Sequence, residues 1–436
     1  MARRRREGRL HLKTFRGGSM REDGIDGVPR RVVVIGAGVV GLSTAWFLQE
    51  HGVEVTVLDR DDVAAGASWG NAGYLSPGFS IPLPEPSVLR YGLRSLFDRD
   101  APLYVPTSVD PGLWSFLTGF ARRCTPWAWQ RSMRAFVPMN AECLDAFDSL
   151  TAGGVSAPTV PAPITAAFEK PEQVAELRHE FEQIRRCGQD VEVRELSTSD
   201  VDVPQLSSRI AAVLRVEGQR YVDPGEFTRS LAKSVVERGG KLRTGFRVRE
   251  VLRGSGQVVV KSEQDERVSA EAVVLATGAW LSRLAKPLGV RTAVRAGRGY
   301  SFTVPTEQPV PGPIYLPAAR VACTPYQGGL RVAGTMEFRS ADDPLDRNRI
   351  EAIVRSARPL LKGVGWNERR DEWVGGRPVT PDGLPLIGAT KMPGAYVAGG
   401  HGMWGLTLGP LTGRLLAEQI TTGKRPALLQ PFDPLR

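Results

Sequence analysis

Histidine and cysteine are scarce in this chain of 436 residues, with four of each. Cys124, Cys143, Cys187 and Cys323 stand far apart and form no Cys-x-x-Cys pair, which argues against a zinc site, a dithiol redox centre and a disulfide framework. His11, His51, His179 and His401 are as scattered, so no histidine cluster suggests a metal. No apolar run reaches the roughly 18 residues of a membrane-spanning helix, and no internal repeat is present. The net charge of +10 invites a nucleic-acid reading, but nine basic and four acidic residues lie within positions 1–30. That leaves a weak, mixed field over the rest of the chain, so no nucleic-acid partner is expected. The basic tail has no apolar segment behind Arg3–Arg6 and is neither a secretory nor a twin-arginine signal. A disordered extension, with Met20 as an alternative start, is its expected nature. Unpaired cysteines fit a reducing, cytoplasmic location, and 42% hydrophobic with 24% charged residues is ordinary globular composition.

Glycine, by contrast, is plentiful, with 48 residues, and its placement is informative. Arg31-Val-Val-Val-Ile-Gly36 reads as a buried strand running into Gly36-Ala-Gly38-Val-Val-Gly41 and an apolar helix to about Glu50. A second strand, Val53–Leu58, ends on Asp59. A bare Gly-x-Gly-x-x-Gly is weak; set between strand and helix, with an acid 18 residues beyond Gly41, it is a dinucleotide-binding signature. Gly36 allows the tight turn, Gly38 the approach of backbone to pyrophosphate, and Gly41 the packing of helix on strand. Asp59 can accept both hydroxyls of a ribose.

Further along, Ser68–Gly73 and Ser76–Gly78 are small and polar. Residues 80–140 are rich in proline, aromatics and arginine and read as helices on a second domain; an aromatic–basic surface for peripheral membrane contact is the alternative. Val174, Leu177, Phe181 and Ile184 mark an amphipathic helix ending near Gly188. Asp223-Pro-Gly-Glu226 is a capping box. Strands are expected at 241–252, 257–262 and 271–276, the last ending in Ala276-Thr277-Gly278, with several more between 297 and 338. A helix follows over 346–361, then a turn-rich loop over 373–388. Tyr396–Gly399 reads as a short strand and Gly400-His-Gly-Met-Trp-Gly405 as a glycine loop. Beyond it a helix with Pro410 in its first turn offers unpaired N–H groups and partial positive charge. Residues 425–436 read as an unstructured end.

Gly-x-Gly-x-x-Gly with Asp59, the Ala-Thr-Gly strand, Arg377-Pro-Val-Thr-Pro-Asp-Gly383 and Gly400–Gly405 in this order resemble the D-amino-acid oxidase superfamily of FAD enzymes. Asn71-Ala72-Gly73, Gly299-Tyr-Ser301 and Thr324-Pro325 are most similar to its D-amino acid dehydrogenase branch. The resemblance covers about 31–424 and implies an α/β fold: a Rossmann-like FAD-binding domain (31–80, 210–295, 374–424) with an interleaved α+β substrate domain (81–209, 296–373). It implies cofactor contacts from Gly36, Gly38, Gly41, Asp59, Arg60, Asn71, Ala72, Gly73, Val248, Thr277 and Gly278, and from Gly400, His401, Gly402, Met403, Gly405, Leu406 and Thr407. Arg377 corresponds to the arginine that pairs with the substrate carboxylate, and Tyr300 to a second carboxylate or lid contact. His401 is expected as a loop residue beside the flavin and not as a general base. The implied activity is oxidative deamination of D-amino acids by hydride transfer to flavin, with electrons passed to a quinone or other carrier. An amine oxidase of the glycine, sarcosine or D-hydroxyproline type and a flavin-binding protein without turnover are the alternatives. No cysteine follows Cys323, so FAD is expected to be non-covalent.

Overall fold

In a computed structural model, residues 28–89, 101–105 and 110–436 are described; most of the basic tail lies outside them. A six-stranded sheet runs in the order Lys241–Arg243, Glu54–Leu58, Arg31–Ile35, Ala272–Leu275, Ala395–Gly399, Leu386–Ala389. Its first five strands are parallel and the last is antiparallel. Val32 through Ile35 are all buried, because both faces of this sheet are covered, which is why the strand reads as an unbroken apolar run. Helices Val39–Glu50 and Gly405–Thr422 cover one face. They approach so closely that a Cβ on Gly413 would stand 2.6 Å from the Ser43 backbone. A three-stranded meander, Val248–Arg253, Val258–Ser262 and Arg267–Ala270, covers the other, with Val251, Val258 and Val260 in one core with Val33 and Ile35. The expected 241–252 strand is thus two strands in different sheets.

A nine-stranded sheet forms the second layer, in the order Arg370–Val379, Arg295–Pro305, Gly329–Phe338, Val321–Tyr326, Ile314–Leu316, Ile164–Phe168, Ala212–Val216, Val193–Leu196. Leu103–Tyr104 joins alongside the third strand. Two expectations change here. Ala212–Val216, expected in the FAD-binding domain, pairs with Ile164–Phe168 in this sheet. The expected loop over 373–388 begins as the ten-residue strand Arg370–Val379, so Arg377 stands on a rigid strand.

Helix Glu172–Arg186 buries Val174, Leu177, Phe181 and Ile184, the face its periodicity predicts; truncating any one to alanine typically costs about 2–5 kcal/mol. Asp223 caps helix Pro224–Glu237 by accepting from the Gly225 and Glu226 N–H groups at 2.9 and 3.0 Å. The 27-residue helix Pro126–Ala152 does not serve the second domain alone. Its Phe136, Cys143 and Phe147 share a core with the Gly405–Thr422 helix, and Arg414 donates to Glu142 at 2.8 Å. The C-terminal segment is also ordered. Leu429 and Phe432 are buried, Phe432 meets Phe136 edge-on at 6.2 Å, and Arg436 grips both oxygens of Asp382 at 2.8 and 3.0 Å. Prolines at 426, 431 and 434 disguised a packed 3-10 turn, Ala427–Phe432, as a free end. Among the described residues no helix is long and apolar enough to cross a membrane.

Candidate functional site

The C-terminal ends of the parallel strands open, together with one face of the nine-stranded sheet, into a cavity of about 820 Å³. In a parallel sheet this edge, where connections leave in opposite directions, is the expected ligand crevice. Gly36 has φ +119°, and a Cβ there would sit 2.3 Å from the Ala276 carbonyl oxygen. A Cβ on Gly41 would meet the Gly36 carbonyl at 2.0 Å. Both glycines serve the packing of turn, helix and strand, and Gly41 does not line the cavity. Gly36 and Gly38 line it; Gly38 differs in that its nearest neighbour is a side-chain atom, Ser68 Oγ, 3.1 Å from where a Cβ would be. That hydroxyl accepts from the Val39 N–H at 3.1 Å. Asp59 is held by the Ala37 N–H on Oδ2 (2.6 Å) and the Asp61 N–H on Oδ1 (2.9 Å). Beside it the Arg60 guanidinium stacks on Trp280 at 3.7 Å. Val248, Thr277 and Gly278 complete this wall.

Asn71 and Ala72 line the cavity from the loop before the Tyr74–Leu75 strand, and Asn71 Oδ1 accepts from the Gly73 N–H at 2.9 Å. Gly73 faces the Val222 carbonyl, not the cavity. At the third wall, His401, Gly402, Met403, Gly405 and Leu406 face inward, whereas Gly400 turns toward Thr380. Thr407 donates to the Tyr74 carbonyl and ties the two loops together. His401 shares a 2.9 Å hydrogen bond between Nε2 and Thr412 Oγ1. Burial lowers its pKa to about 4, so it is neutral at pH 7. The helix begins at Gly405, and Pro410 therefore lies inside it and not in its first turn. The free N–H groups are those of the residues just after Trp404, at the cavity wall.

Arg377 also lines the cavity. One guanidinium nitrogen donates to the Thr335 carbonyl at 2.7 Å, and among the described residues no carboxylate pairs with it. Burial lowers its pKa to about 10, which still leaves it charged at neutral pH. The side chain lies flat across the sheet. On the neighbouring strand a Cβ at Gly299 would stand 2.1 Å from its Cζ. Gly299 pairs in register with Gly375, and over Gly375 lies the indole of Trp373, 2.0 Å from a hypothetical Cβ there and 2.0 Å from one on Gly70. Gly375, which read as part of a turn, and Gly299 form a bare patch of sheet holding two planar side chains.

Tyr300 is placed elsewhere. It is 1% exposed, does not line the cavity and donates its hydroxyl to the buried Glu337. Burial and this carboxylate raise its pKa, so it is a core group on the opposite face of its strand from Gly299. Residues that the sequence did not single out for the site are Trp373, Glu85, Glu180 and Tyr315, all lining the cavity. Packing of strands, a helix and a loop remote from one another in the chain brings them there.

Gly38 leaves room for a phosphate-bearing ligand, and the Thr277 hydroxyl, lining the cavity, is buried without a partner. A dinucleotide on the parallel sheet would face the second sheet and its Arg377. A family model for FAD dependent oxidoreductases matches residues 31–419, and the chain belongs to that family. It is 32% identical over 406 residues to a D-amino acid dehydrogenase of Cereibacter sphaeroides, covering 91% of this chain and 93% of the relative. Its fold is similar to glycine oxidase from Geobacillus kaustophilus (TM-score 0.72, 21% identity, 93% of this chain and 99% of that one). L-proline dehydrogenase from P. horikoshii is also similar in fold (TM-score 0.66, 20% identity, 93% and 97%). The protein is an FAD-dependent oxidoreductase.

Proposed function

We propose that this enzyme oxidatively deaminates free D-amino acids to 2-oxo acids and ammonia, and that its electrons pass to a quinone or another carrier in preference to oxygen. The observation that carries the substrate half is the half-buried, carboxylate-free guanidinium of Arg377 facing the cavity. A guanidinium fork makes two parallel hydrogen bonds to a carboxylate and fixes the adjoining Cα. With the carboxylate fixed and the amine and side chain also placed, the Cα hydrogen of only one enantiomer can face across the cavity, so one enantiomer is expected to react. The similarity to relatives named D-amino acid dehydrogenase supports the D form and an acceptor other than oxygen.

When bound, FAD supplies the two-electron acceptor. Gly38, Asp59, Thr277 and the walls at Asn71–Ala72 and His401–Leu406 would hold it. The N–H groups at the start of the Gly405–Thr422 helix would favour negative charge there. The substrate amine must be neutral to assist oxidation at Cα; the released imine then takes up water to give the 2-oxo acid and ammonia. None of the four cysteines lines the cavity, which supports non-covalent FAD.

The test is anaerobic bleaching of the yellow protein by D- and L-amino acids, sarcosine and glycine, followed by rates with a dye and with air-saturated buffer. Bleaching by D-amino acids, dye-coupled turnover well above peroxide formation, and FAD released by acid or heat are expected. A preference for sarcosine or stoichiometric peroxide at the dye-coupled rate would replace this reading with an amine oxidase.

A further inference from the structure

We propose that Ser301, Thr324 and Arg331 are positioning residues that clamp the loop at 69–72 from the second sheet and thereby set the reduction potential of the bound flavin. Three carbonyls of this loop are each taken by a side chain remote in the chain. The Gly70 carbonyl accepts from Ser301 Oγ at 2.9 Å, the Ala72 carbonyl from the Thr324 hydroxyl, and the Trp69 carbonyl from an Arg331 guanidinium nitrogen at 3.0 Å. All three donor residues are buried. Gly70, Asn71 and Ala72 line the cavity, so the cofactor meets a wall that another domain holds in place.

The sheet register explains why three strands can act on one loop. Ser301 pairs with Ala333, Ala333 with Ala322, and Arg331 with Thr324. Residues two apart on a strand share a face, so the three donors stand on the face whose Ala322 and Ala333 line the cavity. Trp373, the register partner of Ser301, adds a fourth contact. Its indole reaches from Gly375, which pairs with the Gly299 beneath Arg377, to Gly70. The loop therefore lies one side chain away from Arg377. That it meets the ring end of the cofactor rests on the reading of Arg377 as the substrate anchor.

Arg331 is a costly way to stabilise a fold. Its guanidinium lies against the rings of Tyr326 and Trp69, at 3.9 and 4.9 Å. Its Nε and Nη2 are buried with no hydrogen-bond partner among the described residues. Taking a charge out of water for so little return seldom stabilises, and what this one fixes is the Trp69 carbonyl. In a trans peptide the N–H points opposite to the C=O. Pinning the Trp69 and Gly70 carbonyls to the sheet thus turns the Gly70 and Asn71 N–H groups away from it; the Asn71 N–H meets the Ser68 carbonyl at 3.4 Å. Amide donors held in place beside a flavin favour the charge it gains on reduction, because they need not reorganise. A loosened loop makes reduction harder.

The test is the midpoint potential of the FAD-loaded protein, measured by redox titration, in variants that change a hydroxyl and little else. Thr324→Val keeps the shape of the side chain and removes its donor, Ser301→Ala removes the second donor, and Thr324→Ser keeps the hydroxyl. In Thr324→Val and Ser301→Ala the reduction equilibrium is expected to fall by about three- to tenfold, the scale of one lost hydrogen bond. For a two-electron couple this is about 15–30 mV toward more negative potential. Thr324→Ser should stay at the wild-type value. Unchanged potentials in both donor-less variants, or a shift in Thr324→Ser as large as in Thr324→Val, would overturn the clamp. If D-amino acids still bleach the flavin in that case, the D-amino acid reading stands without it. Shifted potentials with no bleaching by any D-amino acid would instead keep the clamp and overturn that reading.

Discussion

Two groups of glycines build this site, and they work in opposite directions. At Gly36 and Gly41 the missing side chains let backbone pack on backbone, and Gly36 and Gly38 line the cavity, where a ligand's phosphates would approach. At Gly299 and Gly375, paired across two strands of the other sheet, the missing side chains make room for the protein's own guanidinium and indole. The first group is contiguous in sequence and carries its spacing on its face. The second is separated by 76 positions and gains meaning only when the strands pair. Glycine near a site can thus serve a ligand or a neighbouring side chain, and only the neighbours distinguish the two.

The largest effect is expected where the second group meets the substrate. Arg377→Ala should retain FAD but lose about 2–5 kcal/mol in kcat/KM, roughly 30- to several-thousand-fold, the usual cost of losing one partner of a buried charge pair. Arg377→Lys should recover only part, because an ammonium cannot form the planar fork. Steady-state kinetics beside the flavin spectrum would check both; unchanged kinetics in the alanine variant would remove Arg377 from the site.

Gly299→Ala sharpens the comparison most directly. The new methyl group would displace the guanidinium by roughly an ångström, and a misplacement of that size can cost about 100-fold. Melting temperature and FAD content should stay near wild type while KM rises. If Gly299→Ala instead releases FAD and leaves KM alone, the two glycine groups are not separate devices.

Asp59→Ala tests the first group. Losing the hydrogen bonds of this carboxylate should weaken FAD retention by about 1–3 kcal/mol, read as the FAD dissociation constant of the reconstituted apoprotein. Substrate KM at saturating FAD should hardly move. Equal loss of both would mean that the walls are coupled.

The smallest effect concerns His401, on the cavity wall that precedes the Gly405–Thr422 helix. Its folded pKa of about 4 lies below its ordinary value of 6.5, so the unfolded chain binds the extra proton first. Its contribution is complete above pH 6.5 and falls as pH drops from there toward 4. By linkage the loss at pH 5.5 is about 1 kcal/mol relative to pH 7.5. His401→Gln should therefore show a shallower fall in urea-unfolding free energy over that interval. Parallel curves for variant and wild type would contradict this.

Local order in the chain was enough for the first βαβ unit, the amphipathic helix with Val174, Leu177, Phe181 and Ile184, and the Asp223 cap, because periodicity and capping act over a few residues. The same locality misled at Trp373–Val379, where glycines and a proline imitate a loop, and at Ala427–Phe432, where prolines imitate a free end. Tyr300 and Arg377 lie on adjacent strands. Whether either faces the cavity depends on strand orientation, which inverts with each residue and shifts at the bulge between Arg298 and Tyr300. Sequence alone determined the cofactor-binding frame and the presence of an unusual arginine motif. Tertiary structure decided that Arg377 lies flat over Gly299, that Tyr300 turns to Glu337, and that Glu180 joins the cavity from a distant helix. Such positions are fixed by pairing between strands and helices remote in the chain, and no short window of sequence contains that information.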